Sequence, residues 1–292
     1  MKKELSILIP VYNADCRQMV TELSRQAETI DGLHYEIIVA DDGSSDRRCV
    51  ECCREVGALP HCRFIDRGAN SGRAVIRNFL ATQAQYGWLL FLDCDMTIVS
   101  PHYLQDYLDA ETEQVAYGGY TVGTDDDTCL RYIYERQCEH QHRAEERRKR
   151  PFLHFHTCNF MVRRGIMLEH PFDERFRKYG YEDVFWGKQL RRAGIAISHI
   201  DNPVGFCTFE DNPHFVAKTE EGLRTLYEFR DELRGYSQII TFTDGIHIGL
   251  VKSAIRLCHH LFGSLIRRNL CGNRPKLSLF KMYKLGYYLS LT

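Results

Sequence analysis

Two pairs of aspartates in the first hundred residues directly follow apolar runs. Asp41 and Asp42 follow IIVA, and Asp93 and Asp95 follow WLLFL. Short apolar runs that stop at polar turns are typical of buried parallel strands. Because open α/β sheets bind ligands outside the carboxyl ends of their strands, both pairs are expected at a ligand-binding edge.

The second pair has the spacing of a cation site. Asp93 and Asp95 are separated by one residue, so their carboxylates can share a divalent cation, which prefers oxygen ligands and bridges phosphates. Carboxylates beside an apolar core are costly without a partner, which favours this interpretation over helix capping. The motif therefore predicts Mn²⁺ or Mg²⁺ bound together with a nucleotide diphosphate.

Strands and helices alternate in the segment that positions these residues. We predict strands at 6–12, 35–40, 62–67 and 88–93, and helices at 16–29, 46–57 and 73–86. Alternation with short connections predicts an α/β fold with a mostly parallel sheet flanked by helices and right-handed crossovers.

The pattern is less regular beyond residue 100. Ser100 is a predicted helix N-cap, with Pro101 at the first helical position. We expect strands at 115–123, 156–164 and 195–200, and a turn followed by a helix within 179–194. A charged segment at 128–149 predicts one exposed helix, whose solvated face would carry Arg131, Glu135, Glu139, Arg143 and Arg147 at helical spacing.

Composition excludes some classes of protein and favours one cellular location. A net charge of −1 argues against a nucleic-acid binder, and no run of 18 apolar residues predicts a membrane span. The first apolar run is too short for a signal peptide, so we expect a cytoplasmic protein with reduced cysteines. Zinc is an alternative for a cluster of thiols and one imidazole, although inert thiols are favoured: Cys49, Cys52, Cys53, His61 and Cys62.

The C-terminal segment differs in charge from the rest of the chain. Residues 252–292 contain eight Lys or Arg and no Asp or Glu. We predict a helical, basic extension over 216–292. Its apolar and basic residues fit a peripheral contact with the inner face of a membrane, and they fit equally a cap packed on the preceding domain.

Five motifs carry a resemblance to a known family. In order, they are SILIPVYN, IIVADDGSSD, NSGRAVIRN, LLFLDCD and YGYEDVFWG. This order and spacing resemble the family 2 glycosyltransferases of the GT-A fold over about residues 4–215. The resemblance implies a catalytic domain at 1–215, with a donor half at about 1–100 and an acceptor half at about 101–215.

The first two motifs would hold the nucleotide. The resemblance implies that Pro10, Tyr12 and Asn13 form the loop around the base, with the Tyr12 ring stacked on it. It also implies that Asp42 accepts a base N–H, with Asp41 assisting. The alternative for each motif is a structural turn.

The third motif would serve the phosphates. Gly72 could let the backbone approach a ligand closely, next to Asn70. Arg73 and Arg77 are one helical turn apart, so one could contact a phosphate while the other orients the carboxylates of DCD. An exposed amphipathic helix face is the alternative.

The last two motifs would supply the chemistry. The resemblance implies that a cation on Asp93 and Asp95 assists the leaving diphosphate, that Asp183 deprotonates the acceptor hydroxyl, and that Glu182 helps to bind the acceptor. The alternative for the acidic pair is a favourable position at the positive end of a helix dipole. Trp186 would then offer an apolar face to a sugar ring.

One segment departs from the pattern of the family. Related sequences often have a His after an N-P-V sequence, where it completes the metal site, whereas this chain has Phe206 and Cys207. His199 lies before this segment and His214 after it. We expect His199 to be a core or strand-end histidine, and the third protein ligand stays open.

These features together predict an inverting glycosyltransferase. The donor would be a nucleotide diphosphate sugar, with UDP favoured and a hexose or N-acetylhexosamine as the sugar. The acceptor would be a hydroxyl of a glycan or of a lipid-linked oligosaccharide. A nucleotidyltransferase is disfavoured because VYNADCRQ lacks a glycine-rich phosphate loop, and a dehydrogenase because no G-x-G-x-x-G follows the first strand. A non-catalytic nucleotide-sugar-binding partner of a polysaccharide synthase complex stays open, because the metal-site His is missing.

Overall fold

A seven-stranded sheet lies at the centre of residues 2–291, which are the residues described by the computed structural model. Met1 and Thr292, the end residues of the two predicted domains, lie outside this part. The strand order is β3-β2-β1-β4-β8-β6-β9, and all strands run parallel except β8. The strands are β1 Glu4–Val11, β2 His34–Asp41, β3 Cys62–Asp66, β4 Trp88–Leu92, β6 Val115–Tyr117, β8 Asn159–Arg163 and β9 Ile197–His199.

Helices cover both faces of the sheet, which explains why its central strands are apolar throughout. Leu5, Ile7, Leu8 and Ile9 of β1 are all fully buried, with Leu8 on one face of the sheet and the other three on the opposite face. One apolar layer packs under α1 Arg17–Glu28, α2 Arg47–Glu55 and α4 Tyr103–Asp109. The opposite layer packs under α3 Arg73–Gln83, α7 Arg164–Glu169 and α8 Glu182–Arg192.

The predicted fold class and the elements of the first hundred residues are confirmed. The four predicted strands there agree with β1 to β4 within two residues at each end. The predicted start of α4 is wrong by two residues, because the helix begins at Tyr103, and the Ser100 hydroxyl accepts the backbone N–H of His102, which precedes the helix. Parallel strands and their crossover helices follow from the alternating pattern alone, whereas a cap depends on local geometry.

A small second sheet stands beside the carboxyl end of the main one. It contains β5 Thr97–Ile98, β7 Tyr120–Val122 and β10 Val204–Phe206, in the order β5-β10-β7. The predicted continuous strand at 115–123 is wrong, because Gly118 and Gly119 separate β6 from β7. A Cβ atom on Gly118 would lie 2.3 Å from the Asn202 carbonyl oxygen, so only glycine fits this bend.

The charged segment at 128–149 is not one solvated helix, which corrects the prediction. It forms α5 Leu130–Cys138, a 3₁₀ turn at Glu139–His142 and α6 Ala144–Lys149. Arg147 is only 1% exposed, and its guanidinium donates hydrogen bonds of 2.8–2.9 Å to four backbone carbonyls and one of 3.1 Å to an imidazole nitrogen. These acceptors belong to Tyr117, Gly118, His142, Ile200 and His199.

Four helices complete the C-terminal part, as the sequence predicts. They are α9 Asn212–Glu228, α10 Gln238–Gly245, α11 Gly249–Leu270 and α12 Leu277–Ser290. Asp211 caps α9 by accepting the N–H of His214, and α12 packs on α11, α9 and α5. Among residues 2–291, no helix combines the length and apolar character needed to cross a bilayer.

Arg147 provides a test of this architecture. Arg147→Met keeps the length of the side chain but removes the hydrogen bonds that Arg147 donates to four backbone carbonyls, so we expect the free energy of unfolding to fall by about 3–5 kcal/mol. Chemical denaturation measures this loss. Arg150→Met, at an exposed arginine three residues further on, is the matched control and should change stability by less than about 0.5 kcal/mol. Equal losses in both variants would contradict the role of Arg147.

Candidate active site

The DCD motif lies where the sequence predicts, at the carboxyl end of β4. The Asp93 backbone N–H donates to the Cys158 carbonyl, which fixes the motif beside the strand β8. Asp95, the second acid of the motif, is exposed. Restricted solvation and the neighbouring Asp93 charge raise the pKa of Asp95, while Arg73 opposes this effect. The motif therefore concentrates negative charge that a cation would relieve.

A buried arginine joins this motif to the acidic pair that begins α8. Arg77 is 1% exposed, and its Nη2 lies 2.5 Å from Oδ1 of Asp93. Its Nη1 lies 3.6 Å from Oε1 of Glu182. Of the two arginines in NSGRAVIRN, Arg77 is thus the one that contacts the carboxylate of DCD.

Glu182 and Asp183 occupy the first turn of α8. Tyr181, immediately before them, has φ +71°, which is unusual for a residue with a side chain and turns the chain sharply into the helix. Oδ1 of Asp183 accepts the Val184 N–H at 2.7 Å. This position at the positive helix end agrees with the alternative explanation as well as with a functional one.

His156, which the sequence analysis missed, contacts the predicted base. Its Nδ1 lies 3.2 Å from Oδ2 of Asp183. Although burial by itself raises the pKa of Asp183, the His156 hydrogen bond and charge lower it below its ordinary value. The ring of Tyr120 lies edge-on to the imidazole at 6.0 Å between centroids. No motif marked His156, because its partner is 27 residues away in sequence.

Hydrogen bonds join the loop after β1 to the loop after β2. The Asn13 backbone N–H donates to Ser44 Oγ at 2.7 Å, and its side-chain Oδ1 accepts the Asp46 N–H at 2.9 Å. Asn13 has φ +51°, a strained value for a non-glycine residue. Tyr12 beside it is 48% exposed, so its ring offers a free face, and Pro10 is half-buried near the end of β1.

The two aspartates at the end of β2 are buried and already hydrogen-bonded. Asp41 accepts the N–H and the hydroxyl of Ser44. Asp42 accepts four hydrogen bonds, from Arg67, from the Ser71 hydroxyl and from the N–H groups of Ser71 and Gly72. Four bonds fill the acceptor sites of a carboxylate, so a base N–H could bond to Asp42 only by replacing one of these donors.

The same contacts position the loop that precedes α3. Gly72 has φ +93°, and a Cβ there would lie 2.9 Å from the Arg177 carbonyl oxygen. Asn70 and Arg73 are exposed, and the Arg73 guanidinium lies 4.9 Å from the centre of the Tyr179 ring. An exposed cation beside DCD is free to meet an anionic ligand.

Two predictions about aromatic and metal-binding residues are decided by burial. The proposal that Trp186 faces a sugar is wrong, because its side chain is fully buried and stacks on Phe172 at 4.8 Å. His199 is buried between Arg147 and the Pro151 carbonyl, which confirms it as a core histidine at the end of β9.

The position where the family often has a metal-binding His is apolar here. Phe206 is buried against Phe209 and Tyr120, while Cys207 is exposed, and His214 pairs with Asp211 at the start of α9. Within residues 2–291, no group of three or more His, Cys, Asp or Glu is arranged to hold a metal ion. Among these residues, neither the cysteines of α2 nor DCD, which offers two carboxylates, belongs to such a group.

Sheet order and acidic clusters at one edge define the class as a GT-A type α/β fold, and comparison with solved structures agrees. Staphylococcus aureus TarS (residues 1–349) superposes with a TM-score of 0.52 at 16% identity, covering 99% of this chain and 89% of that one. The mannosyltransferase PcManGT of Pyrobaculum calidifontis, in complex with GDP-Man and Mn²⁺, gives 0.59 at 11% identity, covering 99% and 85%.

Sequence comparison identifies the family. Residues 6–170, more than half of the chain, match the profile of Glycosyl transferase family 2, and the chain belongs to this family. Chondroitin synthase of Escherichia coli is 26% identical over 239 residues, which are 69% of this chain and 34% of that protein. Dolichyl-phosphate beta-glucosyltransferase of Saccharomyces cerevisiae is 33% identical over 100 residues, 31% of this chain and 29% of that one. The chain thus spans about a third of the length of these curated relatives.

Arg77 generates a prediction about stability. Arg77→Met removes the positive charge between Asp93 and Glu182, so we expect the free energy of unfolding to fall by about 3 kcal/mol or more at pH 8. Burial and the Asp183 charge raise the pKa of Glu182, and the lost cation would raise it further. Glu182 can then become neutral by protonation as the pH falls, so the loss should shrink towards pH 5.

Denaturation of both proteins across this pH range measures the effect. Arg73→Met, at the exposed arginine one turn earlier, serves as the control and should cost less than about 1 kcal/mol. A loss in Arg77→Met that is the same at pH 5 and pH 8 would indicate a packing defect instead of unpaired carboxylates.

Proposed function

We propose that the chain is an inverting, metal-dependent glycosyltransferase that uses a nucleotide diphosphate sugar. The observation that carries this proposal is the bridge made by Arg77 between Asp93 and Glu182. Because of this bridge, a motif suited to a cation and a diphosphate adjoins the acidic pair that contains the proposed base, Asp183. A donor and an acceptor could meet at this edge of the sheet.

The donor we propose is a UDP-linked hexose or N-acetylhexosamine. Two loops would hold the base. One contains Pro10, Tyr12 and Asn13, and the other contains Asp41 and Asp42. Tyr12 would stack on it with its exposed ring. Support for the class of donor comes from the TarS structure in complex with UDP-GlcNAc, which has a TM-score of 0.53 at 15% identity and covers 99% of this chain and 90% of that one.

The acidic residues after β4 fit a divalent cation. Asp93 and Asp95 would be the protein ligands for Mn²⁺ or Mg²⁺, since both offer the hard oxygen atoms that these cations prefer, and Asp95 is accessible. When bound, the cation would neutralise charge on the diphosphate of the donor. Arg73, Asn70 and the backbone at Gly72 would contact the phosphates from the other side.

The reaction we propose is a direct displacement. Asp183 accepts the proton of the acceptor hydroxyl while the oxygen attacks the anomeric carbon of the sugar. The bond from that carbon to the diphosphate oxygen breaks, and UDP departs with the electron pair, which inverts the configuration. Glu182 helps to bind the acceptor, and His156 is a positioning residue that orients the Asp183 carboxylate by its hydrogen bond.

The acceptor we propose is a hydroxyl of a glycan or of a lipid-linked oligosaccharide, met in the cytoplasm or at the inner face of the membrane. The names of the curated relatives, a chondroitin synthase and a dolichyl-phosphate glucosyltransferase, support these two classes. In this proposal residues 1–215 form the catalytic domain, with donor and acceptor halves that divide near residue 100, and 216–292 form the extension.

A second candidate is a non-catalytic partner that binds nucleotide sugar within a synthase complex. The apolar Phe206 at the position of the usual metal-binding His favours it. Hydrolysis of UDP-sugar measured with and without Mn²⁺ separates the two candidates. Turnover that needs Mn²⁺ supports the enzyme, whereas tight UDP binding without any turnover supports the partner.

The metal site yields a direct prediction. Asp95→Ala should abolish sugar transfer and remove the Mn²⁺-dependent part of UDP affinity, because one of two carboxylate ligands is lost. Calorimetric titration of UDP with and without Mn²⁺ measures this. Thermal melting should be unchanged, since Asp95 is exposed, and Asp31→Ala at an exposed turn is the control. Full transfer activity in Asp95→Ala, or in excess chelator, would rule out a metal-assisted mechanism.

The base yields a second prediction. Asp183→Asn keeps the shape of the side chain but cannot accept the proton, so turnover should fall at least about a hundredfold while UDP affinity stays within about twofold. Steady-state kinetics and UDP titration measure the two effects. If UDP affinity collapses while turnover per bound complex is kept, Asp183 belongs to the donor site.

His156 sharpens that test. His156→Ala removes the hydrogen bond that lowers the pKa of Asp183, so the acidic limb of the kcat/KM profile should move to higher pH, whereas His156→Gln, which keeps an N–H donor, should move it less. An unmoved limb in both variants would contradict a positioning role. Other titratable or charged groups near Asp183 are Arg77, Cys158, Tyr181 and Glu182.

A further inference from the structure

An apolar stripe runs along the solvent side of α11. Its residues fall within an arc of about 140° when placed at 3.6 residues per turn, so they share one face of a helix that is 22 residues, or about 33 Å, long. Large exposed apolar patches are uncommon on proteins without a binding surface there. The stripe consists of Leu250, Val251, Leu257, Leu261, Phe262 and Leu265, each between 42 and 81% exposed.

The opposite face of α11 is the one that holds the helix to the protein. Gly263 and Leu270 are buried there, and α12 approaches so closely that a Cβ on Gly286 would lie 2.9 Å from the His259 ring. Arg267 on this side pairs with Glu220 of α9 at 2.8 Å. The stripe is therefore presented outwards on a fixed helix.

Positive charge accompanies the stripe. Arg268 continues it by three residues beyond Leu265, and Arg274, Lys276 and Lys281 are exposed on the following turn and helix. Within residues 2–291, no carboxylate lies within 4 Å of these four cations. Residues 252–292 contain no acid at all.

This charge selects among the occupants that an apolar face could have. A second copy of the chain, docked through the same face, would bring two basic segments together without an acid to offset them, which costs free energy. An anionic lipid surface offers both an apolar layer for the leucines and negative charge for the cations. Lipid is therefore the occupant that satisfies both features.

We infer that α11 binds the surface of an anionic lipid bilayer, with its apolar stripe in the interfacial layer and the helix axis in the membrane plane. The helix lies on the bilayer and does not cross it. This inference does not depend on the proposed chemistry. If the acceptor is lipid-linked, the contact would hold the enzyme on the surface that carries its acceptor.

Vesicle co-sedimentation of the full chain tests this inference. The probes are vesicles of phosphatidylcholine alone and of phosphatidylcholine with 30% phosphatidylglycerol, each at low and high salt. We expect at least tenfold stronger binding to the anionic vesicles, weakened by salt because part of the attraction is electrostatic. A combined Leu257→Ser, Leu261→Ser and Leu265→Ser variant should lose at least tenfold in binding without a change in melting temperature.

Two further variants separate charge from apolar contact. Arg268→Glu with Arg274→Glu should reduce binding to anionic vesicles, whereas Leu168→Ser, at an exposed leucine of α7, should have no effect. Absence of binding to the anionic vesicles overturns the inference, and so does equal binding to neutral ones. Sedimentation equilibrium without lipid is the remaining arm: a dimer that the three serine substitutions dissociate, with no vesicle binding, would assign the stripe to a second copy. Loss of transfer activity in Asp183→Asn leaves every one of these results unchanged.

Discussion

The site depends on the two ion pairs made by the buried guanidinium of Arg77. This guanidinium lies between Asp93 at the end of β4 and Glu182 at the start of α8, two carboxylates that are 89 residues apart in the chain. A buried charge is costly unless it is paired, so α3, β4 and α8 must keep their relative positions for the pairs to survive. The constraint that stabilises the fold therefore also fixes the distance between the two acidic motifs.

The acids at this edge repel one another, and the protein offsets that repulsion unevenly. Arg77 forms an ion pair with Asp93, and His156 is hydrogen-bonded to Asp183. Asp95, in contrast, is exposed and has a raised pKa. A site that leaves one carboxylate charge uncompensated is suited to a divalent cation that binds together with a diphosphate. The reason is that no protein cation already neutralises that charge. The His156 hydrogen bond lowers the pKa of Asp183, so this carboxylate is ionised near neutral pH, as the proposed base has to be.

A second buried arginine organises the part of the chain that follows residue 100. Arg147 donates hydrogen bonds to the carbonyls around the bend between β6 and β7. From the other side, the side-chain amide of Asn159 donates to the carbonyls of Gly119 and Asn202. Asn159 begins β8, only three residues after His156, so the same network fixes the segment that carries the partner of Asp183. Backbone that bends sharply next to a site needs such donors, because its carbonyls cannot all join a sheet.

The sequence by itself determined the parallel core and which motifs lie at its edge. Apolar runs with the length of a strand, each ended by a turn, specify β1 to β4 locally, and the order of the five motifs predicted the family correctly. Only the tertiary structure decided which arginine reaches DCD, that Trp186 is in the core, that 128–149 breaks around a buried Arg147, and that His156 meets Asp183. Those outcomes depend on residues distant in sequence, and a periodic pattern of charges looks the same whether its partner is water or a buried carbonyl.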